Sequence, residues 1–466
     1  MQIWLEVENF AKIEHARICI NSYTVLVGPN NSGKTFLMQL VQGIYTKLAS
    51  LIDEETVNQL LKDGQEGYFK CCLTASNIDI LNRGINANLH KRKTEIIKEI
   101  FGKEIPIEKI YMQIALEENE TYTFEILSVA EENRTSDMEA ILQKAPFNVF
   151  SKIIQKDVEK GQISILYRGK QYKKMDDLIT MHLSLSQHIP DAFTGMMADL
   201  IDCGSLFLPA SRTGIMLLYK DFFANRTDRD MLLSFGREGK VEQTEKQSDL
   251  TKPVYEFLRF LLMYLEDEDK KEQYKEELQF FEEHVIEGHI NAEKHGILSY
   301  TAKAQKDSRI PMYLASSMIN EVAPIILAIT SKHYFKRLII DEVEASLHPQ
   351  KQLELVRFFN RLNNKGMQLM ISTHSDTFVS KLNNLYILSE RVKANGEDIL
   401  KKFNLEKADL IDTTNLFVFE FRNLENGKSV VNEIKPDKKM GYQFDLFTES
   451  AMQLYDEAVK IGEYSK

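Results

Sequence analysis

Eight consecutive residues, Gly28-Pro29-Asn30-Asn31-Ser32-Gly33-Lys34-Thr35, have the types and the spacing to grip a polyphosphate. The pattern is G-x-x-x-x-G-K-[ST]. Its glycines remove side chains where successive backbone N–H groups must turn inward on phosphate oxygens, at the start of a helix whose terminus attracts an anion. Lys34 adds a cation for the β- and γ-phosphates, and the Thr35 hydroxyl reaches Mg²⁺. A second cluster is Leu338-Ile339-Ile340-Asp341-Glu342. An apolar strand ending in acids often does no more than mark a solvent edge, but a phosphate loop needs a carboxylate at such a place to hold its metal. Asp341 takes that role. Glu342, next in the chain and so turned another way, is placed to polarise an attacking water as general base.

After these come Val343-Glu344-Ala345-Ser346-Leu347-His348-Pro349 and, beyond one helical stretch, Ile371-Ser372-Thr373-His374-Ser375-Asp376. At these residues the sequence resembles the ATP-binding-cassette ATPases of the SMC, RecF and OLD-like group, over residues 1–60 and 287–440. The resemblance implies that the nucleotide is ATP, that His374 reaches its γ-phosphate, and that Ser346 and His348 lie at the seam between two heads. It also implies that Ser316 and Ser317, within Leu314-Ala315-Ser316-Ser317-Met318-Ile319-Asn320-Glu321, close over the nucleotide of a second protomer. This stretch lacks the glycines of the group's common LSGGE form. A serine pair at a helix start supplies hydroxyl and backbone donors to an anion, and equally serves as an ordinary helix cap.

The same resemblance implies an ATPase that forms a homodimer or higher homo-oligomer through its heads. It would act as a sensor or scaffold beside a separate effector protein, a nuclease or toxin, as ATPase subunits of bacterial anti-phage systems do. A self-contained nuclease of the OLD type would need a later Asp-x-Asp for two metals, and none follows Asp376. The remaining reading is a RecF-like ATPase of DNA repair, which requires a basic DNA-facing surface.

These residues need strands and helices to position them. IWLEV and ARICI read as paired strands, TVLVG as an apolar strand ending at the loop, and TFLMQLVQGIY as a helix with apolar residues on one face. Residues 45–200 alternate helical and strand-like stretches. Pro253–Ile286 has the charge and apolar spacing of one or two long amphipathic helices projecting from a core. Farther on, HINAEKHGILSYTAK reads as a hairpin, MYLASSMINEVAPIILAIT as a helix, KRLIID and QLMIST as strands, and YILS, LFVFEF and SVVNEI as strand-like. The expected fold class is α/β, an ABC-ATPase head with mixed antiparallel and parallel sheets plus an inserted helical region. The expected division is 1–60 for the first part of the head, 61–286 for the inserted lobe and 287–466 for the rest of the head.

The chain has 466 residues, too long for one ordinary domain, and 58 basic against 69 acidic residues give a formal charge of −11. That balance excludes a protein that coats nucleic acid and leaves DNA contact to a local face. Four cysteines, Cys19, Cys71, Cys72 and Cys203, form no C-x-x-C pair and read as reduced thiols. No apolar run is long enough for a membrane span, so the expected setting is cytoplasmic, with no membrane partner. Three weaker features complete the reading. His284, His289, Asn291 and His295 superficially evoke a nuclease cluster but lie in a hairpin pattern. Arg212, in Leu208-Pro209-Ala210-Ser211-Arg212-Thr213-Gly214, has the choice of nucleotide, DNA or a salt bridge. Gln113 is one of several glutamines that could position water.

Overall fold

The structure, a computed structural model, describes residues 1–60, 68–116, 120–128, 149–157, 162–167, 170–172, 204–235, 250–293, 297–305, 308–437 and 439–464. By packing, the chain divides into two units: Met1–Asn21 with Gln39–Ser205, and Ser22–Met38 with Leu206–Lys466.

In the first unit, strands β1 (Gln2–Phe10) and β2 (Ile13–Cys19) form an antiparallel hairpin, Leu5 opposite Ile18 and Val7 opposite Ala16. Alternation puts Ile3, Leu5 and Val7 into the core. β1 pairs on its other side with a strand at Lys109–Ala115. That strand's remaining edge is covered by helix Ile78–Phe101, in which Asn82 and Asn86 stand one turn apart. The Asn82 side chain bonds both N and O of Ile114, at 2.8 and 2.9 Å, and Asn86 does the same for Met112, at 2.8 and 2.7 Å. Edge groups that would otherwise invite another strand are thereby satisfied. Gly43 lets the helix Lys34–Tyr45 approach this one closely, since a Cβ there would fall 2.2 Å from Ile100 Cδ1. A separate five-stranded antiparallel sheet joins Tyr68–Leu73, Glu120–Ser128, Val149–Asp157, Gln162–Tyr167 and Lys170–Tyr172 in that order.

The second unit is built on a mixed sheet. Its central strand, β3 (Tyr23–Val27), lies parallel between Gln368–Thr373 and Leu416–Asn423. Arg337–Ile340 runs parallel to Gln368–Thr373 on one side, with Ser205–Leu208 beyond it, and Ser429–Ile434 runs antiparallel to Leu416–Asn423 on the other. All five residues of β3 are buried, as expected for a central parallel strand flanked on both sides. Helices Ser317–Thr330, Pro349–Asn364 and Asp376–Asn395 pack their apolar faces into the same core, with Phe281, Phe358, Phe359 and Phe378 wholly buried.

Two expectations change. Pro253–Ile286 is not a projecting arm. It folds as three short helices, Lys252–Leu262, Glu268–Gln273 and Lys275–Phe280, followed by a π-helical turn. The Asp267 carboxylate caps a new helix start by accepting from Asp269 N and Lys270 N, and Phe257, Leu261 and Phe281 are drawn into the core of the second unit. Residues 206–235 and 250–286 accordingly pack with that unit rather than with an inserted lobe. The YILS stretch is helical, within Asp376–Asn395, where Leu382, Leu385 and Ser389 are buried at helical spacing. Among the described residues no helix is long and apolar enough to cross a membrane.

Candidate nucleotide site

Parallel pairing brings the candidate residues to one sheet edge. Val27 lies opposite Thr373, and Ile340 opposite Ile371, so Gly28, Asp341 and His374 all leave their strands at the same end. Gly28 has φ 140°, and a Cβ on it would sit 2.5 Å from the Phe421 carbonyl oxygen. Asn31 (φ 58°) and Gly33 (φ 100°) complete the turn, and asparagine is among the residues that tolerate this region. The Ser32 carbonyl accepts from Ser429 Oγ at 2.6 Å, pinning the loop from outside. Pro29 is half-buried and Asn30 exposed at the loop's crest.

Lys34, at the start of its helix, is nearly buried, and its Nζ donates to Gly28 O (3.0 Å), Pro29 O (2.8 Å) and Ser32 Oγ (3.3 Å). Burial pushes its pKa down to about 8 against the pull of Asp341, Glu342 and Glu344. Thr35 Oγ1 donates to Asp341 Oδ2 at 2.6 Å, and Ser372 Oγ donates to Asp341 Oδ1 at 2.5 Å. Ser372 Oγ also accepts from the Glu342 amide at 2.8 Å. Mg²⁺ keeps most of its waters and takes one or two carboxylates besides the phosphates of its nucleotide. One hydroxyl and one oriented carboxylate, hard oxygen donors side by side, fit that ion, and Thr35 and Asp341 are the residues that would hold it.

Glu342 is set apart from Asp341. It adopts φ 47°, and its side chain is 45% exposed, 3.9 Å from His374 Nε2. Burial first, then Asp341 and Glu344, raise its pKa. Burial first, then Lys34, lower that of His374 against the opposing pull of Glu344, the Gly28 backbone and Asp341. The Glu344 carboxylate accepts from His374 N at 2.5 Å.

The remaining candidates fall as follows. Ser316 caps helix Ser317–Thr330, its Oγ accepting from Ile319 N, and Ser317 opens the helix; both are exposed. Ser346, at φ 60°, and His348, which caps helix Pro349–Asn364, are exposed too. Arg212 is wholly buried and bound within the protein, including to Glu321 at 3.0 Å, so the salt-bridge alternative is the one realised. Gln113 belongs to the first unit and accepts from Arg17. His289 pairs with Glu282, Asn291 donates to Thr301, and His284 lies tilted against Phe280. His295 lies outside the described residues. Among the described residues no group of three or more His, Cys, Asp or Glu is arranged to hold a metal. Cys19 is buried, in no disulfide, with its Sγ 3.7 Å from Asn21 Oδ1. The sequence alone assigns no role to Ser372, Ser429 or Glu321, whose partners are brought to them only by the fold.

Fold and loop together define a mixed α/β nucleotide-binding protein with the phosphate loop and acid strand of a P-loop ATPase. The chain belongs to the AAA ATPase domain family (AAA_15), which it matches over residues 1–379. It is similar at low level to solved SMC heads. These include the SmcHead bound to the C-winged helix domain of ScpA (11% identity, 94% of this chain and 98% of that one, TM-score 0.37). A second is the Smc head with an extended coiled coil bound to the C-terminal domain of ScpA from Pyrococcus furiosus (12%, 98% and 98%, 0.34). A third is the SMC head domain from Thermotoga maritima (10%, 93% and 100%, 0.32). No curated protein matches the chain.

Proposed function

We propose that the chain binds Mg²⁺·ATP at residues 28–35 and hydrolyses it with Glu342 as general base. The division of labour between two adjacent acids carries the reading. Both oxygens of buried Asp341 are engaged, by Thr35 and Ser372, whereas Glu342 keeps a half-exposed carboxylate of raised pKa. Mg²⁺, when bound, neutralises charge on the phosphate oxygens. Lys34 exchanges its loop carbonyls for β/γ-oxygens, and His374 donates to the γ-phosphate.

The finer reading is a head that closes on a second copy around two nucleotides and controls a separate effector protein. Exposed Ser316 and Ser317 at a helix start support it, flanked by Tyr313 and Leu314 at 70% and 66% exposure, a surface that pairing would cover. An anti-phage setting follows from the resemblance in sequence alone. Two variants test the whole. Lys34→Ala should lose ATP binding by calorimetry. Glu342→Gln should keep it, cut turnover to a small residual rate and shift to a larger species on sizing with ATP. Equal ATP affinity in Lys34→Ala and wild type would sink the site, and an unshifted Glu342→Gln would sink the pairing.

A further inference from the structure

Arg212 gives four hydrogen bonds, all to backbone oxygens. A guanidinium carries five N–H groups in a planar fork. Here Nε donates to Glu321 O (2.9 Å), and Nη1 to Pro209 O (3.1 Å) and Asp341 O (2.6 Å). Nη2 donates to Glu342 O (3.1 Å) and faces Glu321 Oε1 at 3.0 Å. The acceptors come from three places: the turn after Ser205–Leu208, the end of the acid strand, and the second turn of helix Ser317–Thr330.

We propose that Arg212 is a positioning residue that ties helix Ser317–Thr330 to the backbone of Glu342, so that turnover depends on where that helix stands. This rests on the reading of Glu342 as the base.

Glu342 holds a left-handed φ that a glutamate adopts only when its surroundings over-determine it. Three bonds do so: Ser372 takes its amide, and Arg212 takes the carbonyls of Asp341 and Glu342, the peptide oxygens on either side of the rotated bond. The other end of the same guanidinium rests on Glu321, by side chain and by carbonyl. Glu321 Oε2 is in turn held by Thr213, from N at 3.0 Å and Oγ1 at 2.5 Å, and Thr213 Oγ1 also lies 3.2 Å from Ser317 O. A displacement at the serine end of the helix therefore reaches the catalytic backbone through one rigid plane of atoms. Lysine could not serve: it is a flexible point charge with three donors. Nor does net stability account for the arrangement, because a buried ion pair is by itself weak support for a fold.

The test is Arg212→Lys, which keeps the charge opposite Glu321 and loses the fork. Its Kd for ATP should stay within about threefold of wild type while kcat falls on the order of a hundredfold, the usual cost of a misplaced group. In a Glu342→Gln background the same change should cost no further turnover, since it acts through a base already removed. A kcat within about twofold of wild type, or an equal loss in both backgrounds, overturns the proposal. Should Arg212→Lys fail to fold by circular dichroism, Thr213→Val keeps the arginine and cuts the hydroxyl link. It should lower kcat about tenfold at unchanged affinity, with Thr213→Ser restoring it, and unchanged turnover would overturn the inference. Absence of turnover in wild type would instead remove the reading beneath it, and the inference with it.

Discussion

Ser372→Ala removes a single hydroxyl that is wholly buried and serves two residues at once. It donates to Asp341 Oδ1 at 2.5 Å and accepts from the Glu342 amide at 2.8 Å. Alanine leaves both partners in place and buried, so each keeps its desolvation cost without its bond. That is about 1–3 kcal/mol apiece, toward the upper end for a carboxylate, or roughly 2–5 kcal/mol together. For a domain of this size the melting temperature should fall by roughly 5–15 °C. The second effect is on metal. With Oδ1 released, Asp341 is no longer fixed in the rotamer that aims Oδ2 at Thr35, and loss of such a supporting bond typically weakens metal binding about 10–100-fold. Thermal melting followed by circular dichroism reads the first effect. A Mg²⁺ titration of fluorescent ATP-analogue binding reads the second. If Ser372→Ala melts within about 1 °C of wild type and needs no more Mg²⁺, the hydroxyl does not hold the acid strand and the reasoning fails.

Three further outcomes follow from the geometry. The Lys34 pKa of about 8 means that its charged form dominates below that pH and is lost above it, so Kd for ATP should be flat to pH 8. It should then rise up to about tenfold per unit; isothermal titration from pH 7 to 9.5 checks this, and a flat profile refutes it. Gly28→Ala forces a Cβ to 2.5 Å from the Phe421 carbonyl at a φ of 140°, so ATP binding should be lost while melting, by calorimetry, shows a damaged second unit. Burial alone would raise the pKa of Asp409, but hydrogen bonds from Arg357 and Arg361 outweigh it and the pKa is lowered. Its contribution to stability is therefore present above the ordinary carboxylate pKa and lost as pH falls through the lowered one. Asp409→Asn should cost about 3–5 kcal/mol in urea unfolding at pH 7 and flatten the acid limb of the stability profile.

What could be read from the sequence was local. The phosphate loop announces itself because its chemistry sits in eight adjacent residues, and the acid strand because an apolar run ends in Asp341 and Glu342. Hairpin Gln2–Cys19 follows from alternation. Arg212 could not be placed this way: Glu321 and Asp341, the residues that explain its burial, are far along the chain, and a lone arginine in a turn looks the same whether solvated or enclosed. Ser372 was hidden for the same reason, since only parallel pairing brings it against Asp341. The charged stretch 253–286 misled because its spacing is amphipathic throughout, while the break at Asp267 turns on one carboxylate capping a new helix.

β3 hydrogen-bonds on both sides to strands at residues 368–373 and 416–423. On a ribosome adding about 5–20 residues per second, Tyr23–Val27 emerges roughly 20–80 s before its second neighbour exists. Over that interval the nascent chain holds an apolar strand with an open flank, while β1 and β2 can already zip together from a two-residue turn. The loop that follows β3 is thus made long before the strands that give it its shape. A holdase that shields residues 22–38 during translation would matter more to this chain than one that acts after release.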